Sequence, residues 1–113
     1  LEIKPPINWN DFEKLDIRVG TIVAAQVFEK AKNPAYQLHI DFGSIGIKKT
    51  SAQITALYQT EDLIGKQVVA VVNFPPKQIA NFMSECLVLG AVDGKNVTLL
   101  QPNLNTENGL SIS

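Results

Sequence analysis

The sequence predicts an all-β protein: a small barrel of five or six short strands, with a short N-terminal helix and a C-terminal extension. Three observations point there. Apolar and polar residues alternate in short runs that recur along the 113 residues. Turn-forming pairs such as Gly43-Ser44, Pro75-Pro76 and Asp93-Gly94 separate the runs. A helical insertion falls between the third and fourth runs.

Residues 1–7 carry Pro5-Pro6 and read as an extended arm. Asn8 or Asn10 suits the cap of a short helix to about residue 15, with Asp11 and Glu13 in its first turn. Trp9 and Phe12 share one face of it, and a helix this short needs a surface to dock on. Ile17, Val19, Thr21, Val23, Ala25 and Val27 then alternate with Arg18, Gly20, Ile22, Ala24, Gln26 and Phe28 in one long strand. Gly20 at its middle marks a bulge or sharp bend. After the polar loop 29–34, Tyr36, Leu38, Ile40 and Phe42 alternate with Gln37, His39 and Asp41. Gly43-Ser44 turns the chain into a third strand at 45–50.

Residues 51–58 are open between a strand end and a helical turn. Thr60 is placed to cap a short helix that Gly65 stops. The apolar run 67–72 is the fourth strand, ended by two prolines that cannot donate to a ladder. Residues 79–83 read as a loop or short helical turn. Residues 85–91 and 96–100 form a hairpin around Asp93-Gly94. Residues 101–113 are polar, with Leu104, Leu110 and Ile112 as apolar anchors. This element order is that of the OB fold, a five-to-six-stranded Greek-key barrel. One domain over 1–113 is expected, its core at about 14–100 and its two ends, 1–13 and 101–113, at a dimer contact.

Composition narrows the function. Hydrophobic content of 45% with 19% charged residues excludes global disorder. A net charge of −1 excludes a chain that wraps nucleic acid through general basicity, so RNA binding would need a local patch. The single cysteine, Cys86, lies in an apolar run and reads as a small buried hydrophobe; it has no partner within the chain and no zinc-ligand spacing. That suits a reducing cytosol, and a cytoplasmic location is expected. No apolar stretch approaches the ~20 residues of a membrane helix and no signal peptide is visible, so membrane insertion is not expected. His39 lies on the polar side of its strand and reads as a surface histidine rather than a triad member. Glu61-Asp62 sit at a helix start, where acids are ordinary, and no glycine-rich phosphate loop occurs. Enzyme activity, a metal and a cofactor are not expected.

Three segments carry small or polar residues that a buried strand does not need. They are Asp16-Ile17-Arg18-Val19-Gly20-Thr21-Ile22, Ser51-Ala52-Gln53-Ile54, and Asn73-Phe74-Pro75-Pro76-Lys77 with Ser84-Glu85 close behind. In this order, over roughly residues 8–110, they resemble the OB-fold tRNA-binding-domain family, found in some aminoacyl-tRNA synthetases and in free-standing dimers. The run from Asn73 to Glu85 resembles the family's export-related chaperones more than its synthetase-attached members. The resemblance implies a homodimer that holds unfolded or export-bound precursor polypeptides, with the export translocase as a further partner. The wider family implies tRNA or structured RNA as the alternative ligand, in the same groove; the near-neutral charge favours polypeptide.

Asn73 matches the family's Asn-Φ-x-Pro motif (Φ apolar), and Ser51, Gln53 and Ser84 match the other motif positions. The resemblance therefore implies that they line one ligand groove. Read as residues alone, Asn73 also suits a turn and Ser51 a cap, whereas Gln53 interrupts an apolar stretch for no scaffold reason. Lys48 and Lys49 point to opposite faces of a strand, so only one, Lys49, enters a shared groove; Lys77 on its loop is free to reach it, and Lys30 and Lys32 stand on the first hairpin loop. Phe74 and Phe82, like Phe28, lie at strand ends or loops and suit base stacking or apolar side chains equally. Trp9, Phe12 and Leu110 are expected at the dimer contact, which gives the apolar chain ends a surface to bury against.

Overall fold

The period-two pattern is realised most cleanly in β2 (Tyr36–Asp41): Tyr36, Leu38 and Ile40 are buried, while Gln37, His39 and Asp41 sit half-buried on the other side. The computed structural model describes residues 2–113. Around β2 stand β1 (Ile17–Val27), β3 (Ile47–Ala52), β4 (Gln67–Val71) and β7 (Leu87–Val88), in the sheet order β3-β2-β1-β4-β7. The fourth strand thus returns beside the first, which is the Greek-key order. The β3 edge then curls back to the segment before β7, where Glu85 N–H donates to the Lys49 carbonyl at 2.8 Å. The result is a nearly closed barrel, the OB architecture. Its inner core is Ile22, Leu38, Ile40, Phe42, Val68 and Ala70, plugged by fully buried Leu63 from α2 (Thr60–Leu63).

The long strand departs from strict alternation. β1 pairs with β4 over 17–21 and with β2 over 21–27, and the β2 register shifts between Ile22 and Ala24. The bulge at Val23 switches the inward parity, so Ile22 and then Ala25 face the core, opposite Ile40 and Leu38. Val23 and Val27, read as partners of Ile17 and Val19, are 44% and 61% exposed. Gly20 itself is needed for close approach: a Cβ there would lie 2.6 Å from Ile40 Cγ2 and 2.7 Å from the Phe42 ring.

Before the bulge, β1 is covered on its outer side too. The C-terminal extension runs along its open edge, with Val19 N–H donating to the Leu110 carbonyl (3.0 Å) and Ile112 N–H to the Ile17 carbonyl (2.8 Å). The Gln67 amide holds the extension in place by donating to the Thr106 carbonyl (2.7 Å) and accepting from its N–H (3.0 Å).

Several local readings are corrected. Residues 79–83 are not a loop or helical turn but belong to a hairpin of β5 (Lys77–Ile79) and β6 (Phe82–Ser84). Three-residue strands are too short to show alternation, and the turn contains no glycine although Ala80 has φ +52°. The third strand starts later than expected because Gly43–Ile45 forms a 3-10 turn, with the Asp41 carboxylate accepting from Gly43 N–H (2.8 Å). α2 is capped at Gln59 rather than Thr60, its N–H donating to the Asp62 carboxylate (3.1 Å). The last hairpin is β8 (Gly90–Asp93) with β9 (Asn96–Leu99), set off from β7. Of the two caps the sequence offered, Asn8 and Asn10, α1 (Trp9–Glu13) takes Asn8, in a capping box with Asp11. α1 buries none of its residues, and Trp9 is 79% exposed.

The Gly20 contact generates a test. Gly20→Ala should overpack the core and lower stability by about 1–3 kcal/mol in urea unfolding. Unchanged stability would show that Ile40 and Phe42 can move aside.

Candidate functional site

The barrel seam fixes the candidate site. Thr50 is 1% exposed, and its hydroxyl lies 2.7 Å from the Cys86 carbonyl and 3.0 Å from Ser84 Oγ. A threonine has one proton to give. Donated to the Cys86 carbonyl, it leaves the Ser84 hydroxyl to donate to Thr50 and to accept from Ser51 N–H, at 3.2 Å. Ser51 and Ser84 are thereby held side by side. They line a cavity of about 460 Å³ together with Phe74, Lys77, Ile79 and Leu87. Its walls are mostly apolar, Phe74 and Leu87 are half exposed at it, and no carboxylate lines it.

Of the residues singled out in the sequence, the structure brings Ser51, Phe74, Lys77 and Ser84 to this cavity. Gln53 lines a different one, with the β1–β2 loop and the β8–β9 hairpin. Asn73 lines neither: its side chain accepts from Asp16 N–H (3.0 Å) and donates to the Lys14 carbonyl (2.8 Å), pinning the junction between α1 and β1. Phe82 is buried, its ring 5.4 Å from that of Phe28 and tilted by 59°, so the β5–β6 hairpin docks through it onto the first loop. The Lys49 ammonium stands 5.1 Å from the Phe82 ring centre, a cation–π contact on the outer face of β3. At the proposed dimer contact, Trp9 is exposed, Leu110 is 45% exposed and Phe12 is half-buried. The expectation missed Pro75, Ile79, Cys86 and Leu87 as cavity walls. The apolar run 86–89 held a signal for Leu87, but it reads equally as core.

Burial pushes the Cys86 thiol up from its ordinary 9.0 to about 11. Among the described residues no group of three or more His, Cys, Asp and Glu side chains is arranged to hold a metal ion, and no helix is long and apolar enough to cross a membrane.

The model of the tRNA binding domain family matches residues 17–111. The chain belongs to the tRNA-binding domain family. The crystal structure of the chaperone CsaA from Bacillus anthracis superposes with a TM-score of 0.93 at 55% identity, over 96% of this chain and 100% of that one. CsaA from Picrophilus torridus gives 0.90, also at 55% identity and the same coverage. A methionine–tRNA ligase from Methanococcoides burtonii is 38% identical over 110 residues, 96% of this chain. The chain spans only 16% of that ligase's length, so the likeness concerns one part of it.

Two expectations follow from this tRNA-binding domain's geometry. Asn73→Ala should cost about 0.5–1.5 kcal/mol of stability through the lost junction contacts, while ligand affinity stays at the wild-type value; unchanged stability with weakened binding would return Asn73 to the ligand site. Cys86 in the native protein should resist alkylation at pH 8 and react fast once unfolded. The folded state keeps its proton where the unfolded chain releases one, so the thiol's share of stability is intact below pH 9 and lost as pH rises toward about 11. Rapid native-state alkylation at pH 8 would contradict the burial.

Proposed function

We propose that this chain is a homodimeric, CsaA-like chaperone that binds unfolded or export-bound polypeptides, without catalysis, in the cavity between β3, the β5–β6 hairpin and β7. The observation that carries the reading is the state of that cavity's polar groups. The Ser84 hydroxyl is taken up by the seam, so what the cavity offers a ligand is chiefly the apolar surface of Phe74, Pro75, Ile79 and Leu87, with the Ser51 hydroxyl and the Lys77 ammonium beside it. A volume of about 460 Å³ accommodates apolar side chains of an extended chain. Apolar side chains exposed by an unfolded precursor fit it, and the one thiol in its lining, Cys86, is buried and held protonated. Two solved relatives named as CsaA chaperones, each 55% identical, support the same reading. Clients of this kind place the protein in the cytoplasm, upstream of an export translocase.

The dimer rests on the chain ends. Ile7, Trp9 and Leu104 are 70%, 79% and 76% exposed. A groove of about 500 Å³ is lined by Val19, Val69, Leu100, Leu110 and Ile112, the last two from the C-terminal extension. A second copy related by a two-fold axis would cover these surfaces. The second reading, tRNA as ligand, is favoured by the family match over 17–111.

Titration with a permanently unfolded polypeptide and with bulk tRNA, each at two salt concentrations, tests the proposal. Polypeptide affinity should hold or rise with salt, because apolar burial is not screened. Leu87→Asp should weaken it by roughly tenfold or more through loss of that burial. Light scattering should give about twice the 12.4 kDa chain mass. Tight tRNA binding at physiological salt with no affinity for unfolded polypeptide would overturn the reading.

A further inference from the structure

A second cavity, of about 510 Å³, lies where the loop between β1 and β2 meets the residues after β3 and the β8–β9 hairpin. It follows the first cavity along two of that cavity's walls. On one wall Ser51 lines the first cavity and Gln53 the second, their Cα atoms at most about 7 Å apart. On the other, Leu87 of β7 lines the first and Val92 of β8 the second. The linings differ in chemistry. Asn33, Gln53 and Thr55 bring two amides and a hydroxyl to the second cavity, and none of these side chains is engaged in a hydrogen bond among the described residues. Lys95, on the turn of the hairpin, is exposed and makes no ion pair among the described residues. It is the only charged residue of the lining, and Asp93, its neighbour in sequence, is not part of it.

We infer that the second cavity receives a carboxylate of the same extended polypeptide whose apolar side chain fills the first. The inference rests on the polypeptide reading and adds the kind of segment that is held. A carboxylate accepts from the amide groups of Asn33 and Gln53, from the Thr55 hydroxyl and from the Lys95 ammonium. The two amide oxygens remain to accept from peptide N–H groups beside it. A basic segment meets no carboxylate in either cavity, and Lys77 and Lys95 repel it. The selected segment therefore carries an apolar residue and an acidic one roughly three to five residues apart, the reach of an extended chain between neighbouring cavities. The basic start of a signal peptide lacks that pattern.

The test uses the full chain and labelled, unstructured decapeptides with an amidated end and one leucine. Some carry an aspartate about four residues from the leucine, on either side; their counterparts carry asparagine there. A further peptide is neutral except for a free terminal carboxylate. By fluorescence anisotropy, an acidic peptide should bind roughly fivefold or more tightly than its neutral counterpart. A gain from aspartate names the side chain as the source of the carboxylate, and a gain from the free end names the C-terminus. The gain should shrink as salt rises, while the neutral peptide's affinity holds. Lys95→Gln should remove the gain and Lys77→Gln should keep it, with circular dichroism confirming that each variant is folded. Equal affinity of all the peptides would overturn the inference and leave the chaperone reading standing. So would a gain that is lost in Lys77→Gln and kept in Lys95→Gln. Binding of none of them, the neutral peptide included, would overturn the chaperone reading and the inference with it.

Discussion

The barrel closes on one buried hydroxyl. β3 and the segment before β7 have no regular ladder between them, and Thr50, 1% exposed, joins them beside a single main-chain bond from Glu85 N–H to the Lys49 carbonyl. Its hydrogen bond satisfies the Cys86 carbonyl in an apolar core, where an unpaired carbonyl costs about 1–3 kcal/mol. Its second contact orients Ser84, which in turn holds Ser51 N–H. Glu85 adds a carboxylate accepting from Lys49 N–H at 3.0 Å. This cluster decides where β6 leaves the barrel. The β5–β6 hairpin then lies over the first loop, and Phe82 meets Phe28 in a small apolar cluster of their own. The cavity of Phe74, Lys77 and Leu87 is the space left beneath that arrangement.

Two cavities with different use of their polar groups follow from the same barrel. At the seam, the hydroxyls of Thr50 and Ser84 serve the fold and the remaining surface is mostly apolar. At the far side of β3, past Ala52, the strand has ended and the backbone turns, so Gln53 and Thr55 are not claimed by a neighbour. Net charge near neutrality is consistent with this division. Lys77 and Lys95 each sit alone in a cavity without a lining carboxylate, so each acts locally rather than through a basic surface.

What the sequence disclosed depended on how far the deciding contact lay along the chain. β2 was legible because period-two alternation records a buried face directly, and β4 because a continuous apolar run ends at two prolines. The α1 cap was legible as a choice between Asn8 and Asn10, and the contact with Asp11, three residues away, decides for Asn8. The Val23 bulge was not, because alternation in β1 continues through it and only the pairing with β2 reveals the shift. Asn73 shows the limit most plainly. Its type and its place beside two prolines marked it as polar and special, yet its partner Asp16 is 57 residues away. A motif position says that a side chain is needed; it does not say whether the chain or a ligand needs it. Gln53 differs from Ser51 by two residues, and the end of β3 at Ala52 sends them to different cavities.

The seam is tested most directly by Thr50→Val, which keeps the shape and removes the hydroxyl. Urea unfolding and unfolded-polypeptide affinity are measured on the same sample. If the buried hydroxyl closes the barrel and shapes the cavity beneath the hairpin, stability falls by about 1–3 kcal/mol and affinity falls with it. Wild-type stability together with wild-type affinity would contradict the account.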